Sequence, residues 1–320
     1  MCFKMMRKEC RAACLAEVEN MPQILAGIVL YNPKIERLLL EMESIMSQVD
    51  RICLCDNGSV NIALIEEKIR MSEKVILIKN RINLGIGVAS NQICSYADRN
   101  GFDWILLLDH DTICPSNLVD TYTKYVGDPL IGMMCPNVVD KEIVYNKYNS
   151  TCKEETEYVK RCIQSATFIN VSAWKKCNGF NEWMFIDFVD FDFCKRIELN
   201  GYRILKCNTV TVDHQLGKRV TTKFAKFYMD LYKITGIRTF KYFTYKNEFS
   251  KERVYYCTRN NIVYIKLFGE NLNRKEEWKE FFVRILKRIL RSKKRFMIIR
   301  ETIRGARDGL KSSIEPYKAS

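Results

Sequence analysis

The sequence lacks any run of about 18 uninterrupted apolar residues, the least that crosses a bilayer as a helix. Met1 to Asn20 breaks its few apolar positions with Lys4, Arg7, Lys8, Glu9 and Arg11, so neither a secretory signal nor a spanning helix is expected. Histidine is almost missing: the two present, His110 and His214, lie far apart. The 14 cysteines fall at irregular positions and form no Cys-x-x-Cys pair, which argues against a zinc site. Cys53 and Cys55 alternate along an apolar run as small core side chains do, so reduced thiols and a cytoplasmic location are expected. No repeat period is visible, and solenoid architectures are set aside.

What is present is a 320-residue chain with 47% hydrophobic content, enough to bury one large α/β core and carry an appendage. The net charge of +14 is uneven: Lys251 to Ser320 holds 19 basic and 8 acidic residues, and the preceding 250 residues are nearly neutral. This asymmetry argues against a nucleic-acid groove in the main domain and for a separate basic patch.

Along the chain, Ile24 to Leu30 is a β-rich run ending at Tyr31-Asn32-Pro33, after which Ile35, Leu38, Leu39, Met42, Ile45 and Met46 recur at helical spacing. Arg51 to Cys55 closes on Asp56-Asn57-Gly58-Ser59 and is followed by the helical stripe Ile62, Ile65, Ile69. Val75 to Ile78 is a third strand, Asn83-Leu84-Gly85-Ile86-Gly87 opens a helix to about Arg99, and Trp104 to Leu108 is a fourth strand. Such alternation implies parallel strands with right-handed crossovers. Further on, Ser116 to Val126 reads as a helix, Gly132 to Val139 as extended, Lys141 to Glu157 as a polar loop over a site, and Tyr202 to Val212 as a late strand.

The fourth strand runs directly into Asp109-His110-Asp111. Ligands collect at the carboxyl ends of parallel strands, and two carboxylates there are stabilised by a divalent ion carrying a diphosphate. A strand end followed by a turn cap is the alternative reading of the tripeptide alone. Asp56, Asp187, Asp190 and Asp192 supply further acids for the same sheet edge.

In order and approximate spacing, Tyr31-Asn32-Pro33, Asp56-Asn57-Gly58-Ser59, Asn83-Leu84-Gly85, Asp109-His110-Asp111 and Phe180-Asn181-Glu182 with Asp190 and Arg196 resemble the family 2 glycosyltransferases of GT-A fold, over roughly residues 24 to 220. The variant Phe185-Ile186-Asp187-Phe188-Val189-Asp190 is similar to bacterial polysaccharide rhamnosyltransferases. The resemblance implies a mixed, mainly parallel sheet flanked by helices, with a basic helical C-terminal extension. It divides the chain into an N-terminal extension (1–22), a catalytic domain (23–220) and a helical C-terminal region (221–320).

The resemblance also implies roles. Tyr31, Asp56, Asn83, Gly85 and Asp109 would bind the nucleotide sugar, Asp111 and His214 would hold Mg²⁺ or Mn²⁺, and Asp190 would be the catalytic base. Each has a second reading from the residues alone. Asp56 is placed to accept from a pyrimidine N–H or a ribose hydroxyl, and Asp-Asn-Gly-Ser also forms an Asx-turn. Asn83 and Gly85 precede a helix whose N–H groups suit a diphosphate, and they also suit a simple cap and turn. Asp190 suits a base or a helix cap, with Asp187 as an outside candidate for the base and Asp192 and Arg196 supporting the helix. His214, with Gly217 nearby, is a metal ligand or a structural residue; His110 points away from its neighbours along an extended chain and is structural. Trp183, Met184 and Phe185 form an acceptor wall or ordinary packing. The family often places an arginine and a glycine around Asn91, where this chain has Ser90 and Ile93, so no arginine of this motif is assigned to phosphate and the metal carries more of the neutralisation.

From Trp278, the stripe Phe281, Phe282, Ile285, Leu286, Ile289, Leu290 faces away from Lys279, Arg284, Lys287, Arg288 and Arg291, a basic amphipathic helix followed by Lys293-Lys294-Arg295. It suits an anionic membrane surface at the inner face of the cell membrane, or packing on the domain. The reading is an inverting glycosyltransferase acting from a nucleotide-diphosphate sugar, with rhamnose as one candidate, onto a lipid-linked or polysaccharide acceptor in bacterial surface glycan synthesis. Its rivals are a sugar nucleotidyltransferase, which would want a basic Gly-rich loop where Tyr31-Asn32-Pro33 stands, and a non-catalytic membrane or nucleic-acid binding protein.

Overall fold

Apolar runs alternating with helical stripes become strands and crossover helices. The computed structural model describes residues 21–70, 72–139, 154–213, 219–237, 240, 243–247 and 249–319. Strands β1 (Ile24–Leu30), β2 (Arg51–Asn57), β3 (Val75–Asn80) and β4 (Trp104–Asp109) are parallel and joined by α1 (Ile35–Met46), α2 (Ile62–Ile69) and α3 (Ile86–Arg99). After α4 (Leu118–Thr123) come β5 (Ile131–Val139), β6 (Thr156–Val159), β7 (Thr167–Asn170), α5 (Val171–Lys176), a 3₁₀ turn (Glu182–Met184), α6 (Val189–Leu199) and β8 (Arg203–Asp213). The sheet order is β3-β2-β1-β4-β7-β5-β8-β6. Strand β7 runs antiparallel to β4 and β5, while β5 pairs parallel with β8. The carboxyl ends of β1 to β5 and β8 therefore share one edge.

Side chains alternate between two cores. Leu25, Val29, Cys53, Cys55, Ile105 and Leu107 face α3, α6 and a helix from the C-terminal region, α8 (Lys251–Phe268). Ala26, Ile28, Leu30, Leu54, Leu106 and Leu108 face α1 and α4. Each fully buried aliphatic contributes about 1.5–3 kcal/mol against exposure, so strands lined on both faces are the strongest folding signal in the chain. Helix α8 gives Val263, Tyr264, Leu267 and Phe268 to the first core, so the C-terminal region shares the sheet's hydrophobic interior. Between β8 and α8 lie β9 (Arg219–Thr221), α7 (Ala225–Thr235) and β10 (Tyr245–Asn247), with β9 and β10 an antiparallel pair. The chain closes with α9 (Arg274–Arg291) and α10 (Arg295–Lys311).

Two sequence expectations change. Of the polar stretch Lys141 to Glu157, residues 141–153 lie outside the described residues, and Thr156 and Glu157 open β6, an edge strand paired antiparallel with β8. Thr156–Val159 is partly exposed along its length, as an edge strand is. Asp190 lies inside the first turn of α6, whose N-cap is Phe188.

Candidate active site

The loop after β1 and the loop after β2 are tied together. Asn32 N donates to Ser59 Oγ at 2.8 Å, and Val60 N donates to Asn32 Oδ1 at 2.9 Å. Tyr31, beside this tie, is half exposed at the sheet's carboxyl edge. Asp56, at the end of β2, is buried and accepts from Gly58 N and Ser59 N at 3.1 Å each. The Asx-turn is thus real, and an ionised carboxylate retains acceptor capacity beyond these two bonds. Gly58 takes φ +82°, and a Cβ there would lie 2.8 Å from the Ile82 carbonyl carbon, so the turn requires glycine.

Asn57, which the sequence reading passed over, anchors the next segment. Its Oδ1 accepts from Leu84 N at 3.0 Å, and its Nδ2 donates to Asn83 Oδ1 at 3.0 Å and to Gly85 O at 3.1 Å. Asn83 Oδ1 also accepts from Gly85 N at 2.9 Å, and Ile86 N donates to Phe185 O at 2.7 Å. The amides of Leu84, Gly85 and Ile86 are therefore taken by protein acceptors, with Asn83 closing an Asx-turn onto Gly85 at the N-cap of α3. Gly85 has φ +91°, and a Cβ would sit 2.7 Å from the Phe185 backbone. The close approach of these two segments needs a residue without a side chain.

Asp109 and Asp111 close β4. Asp111 N and Thr112 N both donate to Asp109 O, at 2.7 and 3.1 Å, forming a tight turn. Both acids are half-buried. Arg37, from the first turn of α1, donates through Nε and Nη2 to Asp111 O at 3.1 and 2.7 Å and lies 3.9 Å from Asp213 Oδ2. Beneath the turn sits Glu41, fully buried, with no hydrogen-bond partner for either carboxyl oxygen among the described residues. Burial first, then the Asp109 and Asp111 carboxylates, push its pKa well above the usual range; Arg37 opposes them. Glu41 shares the inner face of α1 with Leu38 and Ile45, three before it and four after it. An acid inside that apolar stripe was the available signal.

Asp109 and Asp111 form an all-oxygen donor pair suited to Mg²⁺ or Mn²⁺. No group of three His, Cys, Asp or Glu side chains able to hold an ion occurs among the described residues. An ion here would complete its shell with phosphate oxygens and water, which the open strand end permits. His214 and Gly217 lie outside the described residues; Asp213, next to His214 in sequence, pairs by backbone with Ile113.

Facing this edge is the segment before α6. Phe185, Asp187 and Phe188 have φ of 39°, 63° and 68°. Left-handed backbone at a non-glycine residue costs about 1–2 kcal/mol, so the segment is held by its contacts. Asn260 of α8, fully buried, supplies them: its Nδ2 donates to Met184 O, Ile186 O and Asp187 O at 2.7, 2.9 and 2.9 Å. Phe185 stacks on Tyr256 with centroids 5.0 Å apart, and Arg259 lies 3.8 Å over the Trp183 ring while donating to Trp183 O. Met184 packs in the core, leaving Trp183 as the partly exposed aromatic. Asp190 Oδ1 accepts from its neighbour Phe191 N at 2.9 Å. Burial pushes the Asp190 carboxyl up to about 7, opposed by that hydrogen bond, with Asp187 and Asp109 raising it further. Asp109 and Asp190, distant in sequence, are thus electrostatic neighbours. Asp192 is buried and paired with Arg196 and Asn181, a helix-supporting arrangement. None of the residues on α8 was accessible to motif reading, because their contacts cross more than 60 positions.

Residues 26–181 match the family model described as Glycosyl transferase family 2. The dTDP-rhamnosyl transferase RfbF of Shigella flexneri is 23% identical over 211 residues, covering 61% of this chain and 70% of that protein. Two solved structures share the fold. GalNAc-T7 with UDP, GalNAc and Mn²⁺ has a TM-score of 0.52 and 14% identity, covering 70% of this chain and 51% of that one, so this chain spans about half its length. S. aureus TarS 1-349 in complex with UDP-GlcNAc has a TM-score of 0.51 and 14% identity, covering 89% of each chain. Residues 26–181 thus carry the match to the family 2 glycosyltransferases, and the protein is a glycosyltransferase of GT-A fold, similar to a rhamnosyltransferase.

Proposed function

We propose that the protein transfers a sugar, with rhamnose the first candidate, from a nucleoside diphosphate donor to a hydroxyl of a lipid-linked or polysaccharide acceptor, with inversion at the anomeric carbon. The observation that carries this reading is that Asp109 ends β4 at the sheet's carboxyl edge and the segment leading to Asp190 is bonded to a loop of that same edge, Ile86 N donating to Phe185 O. The similarity to a dTDP-rhamnosyl transferase supports the sugar, and UDP-, UDP-GlcNAc- and Mn²⁺-containing relatives of the fold support a nucleotide-sugar donor and a divalent ion.

In this mechanism Asp190 accepts the acceptor's hydroxyl proton as that oxygen attacks the anomeric carbon, and the bond to the donor phosphate breaks on the opposite face. A carboxyl with a pKa near 7 is well matched to that task at neutral pH. Asp111 would hold Mg²⁺ or Mn²⁺, which would supply a Lewis acid for the departing diphosphate, and Asp109 would bind the nucleotide sugar beside it. Asp56 accepts from the base or ribose beside Tyr31, and Asn83 and Gly85 shape the wall by packing on Phe185. His214 is proposed as a further metal ligand.

The acceptor side is proposed to lie against an anionic membrane. Helix α9 exposes Phe282, Leu286 and Leu290 at i, i+4, i+8, while Phe281 is buried against the protein. Helix α10 extends the apolar surface with Phe296, Ile299 and Ile303, and Lys279, Lys287, Lys293, Lys294 and Arg295 are exposed around it. Greasy rows rimmed by cations suit the boundary between acyl chains and anionic headgroups. No described helix is long and apolar enough to cross a membrane.

A panel of nucleotide sugars with MnCl₂, read by thermal protection and by release of nucleoside diphosphate, tests the reading. At least one donor is expected to raise the unfolding midpoint and be turned over; silence from every donor would overturn it.

A further inference from the structure

We propose that Arg253, in the first turn of α8 and outside the segment matched by the family model, is the protein cation that meets the donor's diphosphate, with Asp187 holding it until the nucleotide arrives. The inference rests on the nucleotide-sugar reading above and adds a residue to it.

The site is short of positive charge. Asp109, Asp111, Asp187 and Asp190 line its two sides, and a diphosphate brings more negative charge. The first turns of helix α3 offer no arginine: Ser90 is buried and accepts from Gln164, Ile93 is buried in the core, and Arg99 stands in the last turn, donating to Ser95 O. The amides of Leu84, Gly85 and Ile86 leading into α3 are already bonded to Asn57, Asn83 and Phe185. Arg37 is committed to Asp111 O and Asp213.

Arg253 differs from these groups in being poised. Its Nη2 meets Asp187 Oδ1 at 2.6 Å while its Nε is 3.4 Å from Asp187 Oδ2, an uneven pair. Its side chain is 59% exposed, so solvent screens the pair and a phosphate can compete for the guanidinium. Its partner Asp187 lies in the segment bonded to the loop before α3, Ile86 N donating to Phe185 O, so the guanidinium sits beside the sheet's carboxyl edge. The arm's base is fixed, since Ser250 Oγ accepts from Arg253 N and Asn260 locks α8 to the Asp187 segment. A planar fork on a fixed base with a loosely held tip suits phosphate oxygens, and its hold strengthens as the leaving diphosphate gains charge.

The test is calorimetric titration of the full chain in MnCl₂ with dTDP, UDP and GDP, and with the matching monophosphates. For whichever base binds, Arg253→Ala is expected to weaken the diphosphate about 10-fold or more while the monophosphate shifts less than about 2-fold. Arg253→Lys should fall between, and Asp187→Asn, which removes the competing carboxylate, should tighten the diphosphate several-fold. Unchanged diphosphate affinity in Arg253→Ala, or equal weakening of mono- and diphosphate, would overturn the assignment. If the wild-type chain binds none of these nucleotides, the donor reading itself falls and the assignment with it.

Discussion

Replacing Asn260 by alanine probes how the C-terminal region holds the base. One buried amide nitrogen serves three carbonyls, Met184 O, Ile186 O and Asp187 O. Its two N–H protons are shared among them, so the substitution removes about two hydrogen bonds' worth of donation. Leaving a buried acceptor unpaired costs about 1–3 kcal/mol, or about 2–6 kcal/mol for the pair. Against this, Phe185, Asp187 and Phe188, all at positive φ, relax once released and return part of their strain. A net loss of about 2–4 kcal/mol in unfolding free energy follows, readable as a lower urea midpoint at unchanged slope. Because Asp190 lies two residues beyond Phe188, its carboxyl shifts as well, and turnover with an identified donor should fall about 100-fold. Asn260→Asp keeps the size but loses the donor, so it should behave like alanine. A loss below about 1 kcal/mol together with unchanged turnover would refute the reasoning.

Three other outcomes are expected. With Asp190 pushed up to about 7, kcat/KM should rise through about pH 7 as the base ionises, and a limb centred near the usual carboxylate value of about 4 would contradict that. Glu41 titrates above its ordinary 4.5 when folded, so its contribution to stability is full below that value and is lost as pH climbs through the folded pKa. Glu41→Gln should therefore raise the urea midpoint at about pH 8 more than at about pH 5; a lower midpoint at about pH 8 would refute the account of this residue. Phe282→Glu with Leu286→Glu should abolish co-sedimentation with phosphatidylglycerol vesicles while leaving thermal unfolding within about 2 °C, since both side chains are exposed; undiminished sedimentation would count against the membrane face.

The sheet was readable because β1, β2 and β4 are buried on both faces and read as apolar runs, and because each ends in a short polar motif at the edge where ligands gather. Asp56, Asp109 and Asp111 could be placed on that edge from local pattern alone. The contact that sets the surroundings of Asn83 and Gly85, Ile86 N to Phe185 O, crosses about 100 positions and leaves no local signal. The same distance hid Asn260 and Arg253. Their functional surroundings exist only after α8 has docked on the segment before α6, and neither leaves a periodic signature. Glu41 was readable in principle, an acid at a core position of α1, but its meaning depends on Asp109 and Asp111 lying above it.

The most direct measurement compares nucleoside diphosphate release and acceptor glycosylation by the wild-type chain, Asp190→Asn and Asp111→Asn, using the donor found in the screen with MnCl₂. The account predicts an inverted glycosidic product from the wild type, and at least about 100-fold less from either variant at similar thermal stability. Wild-type levels of product from Asp190→Asn would contradict it.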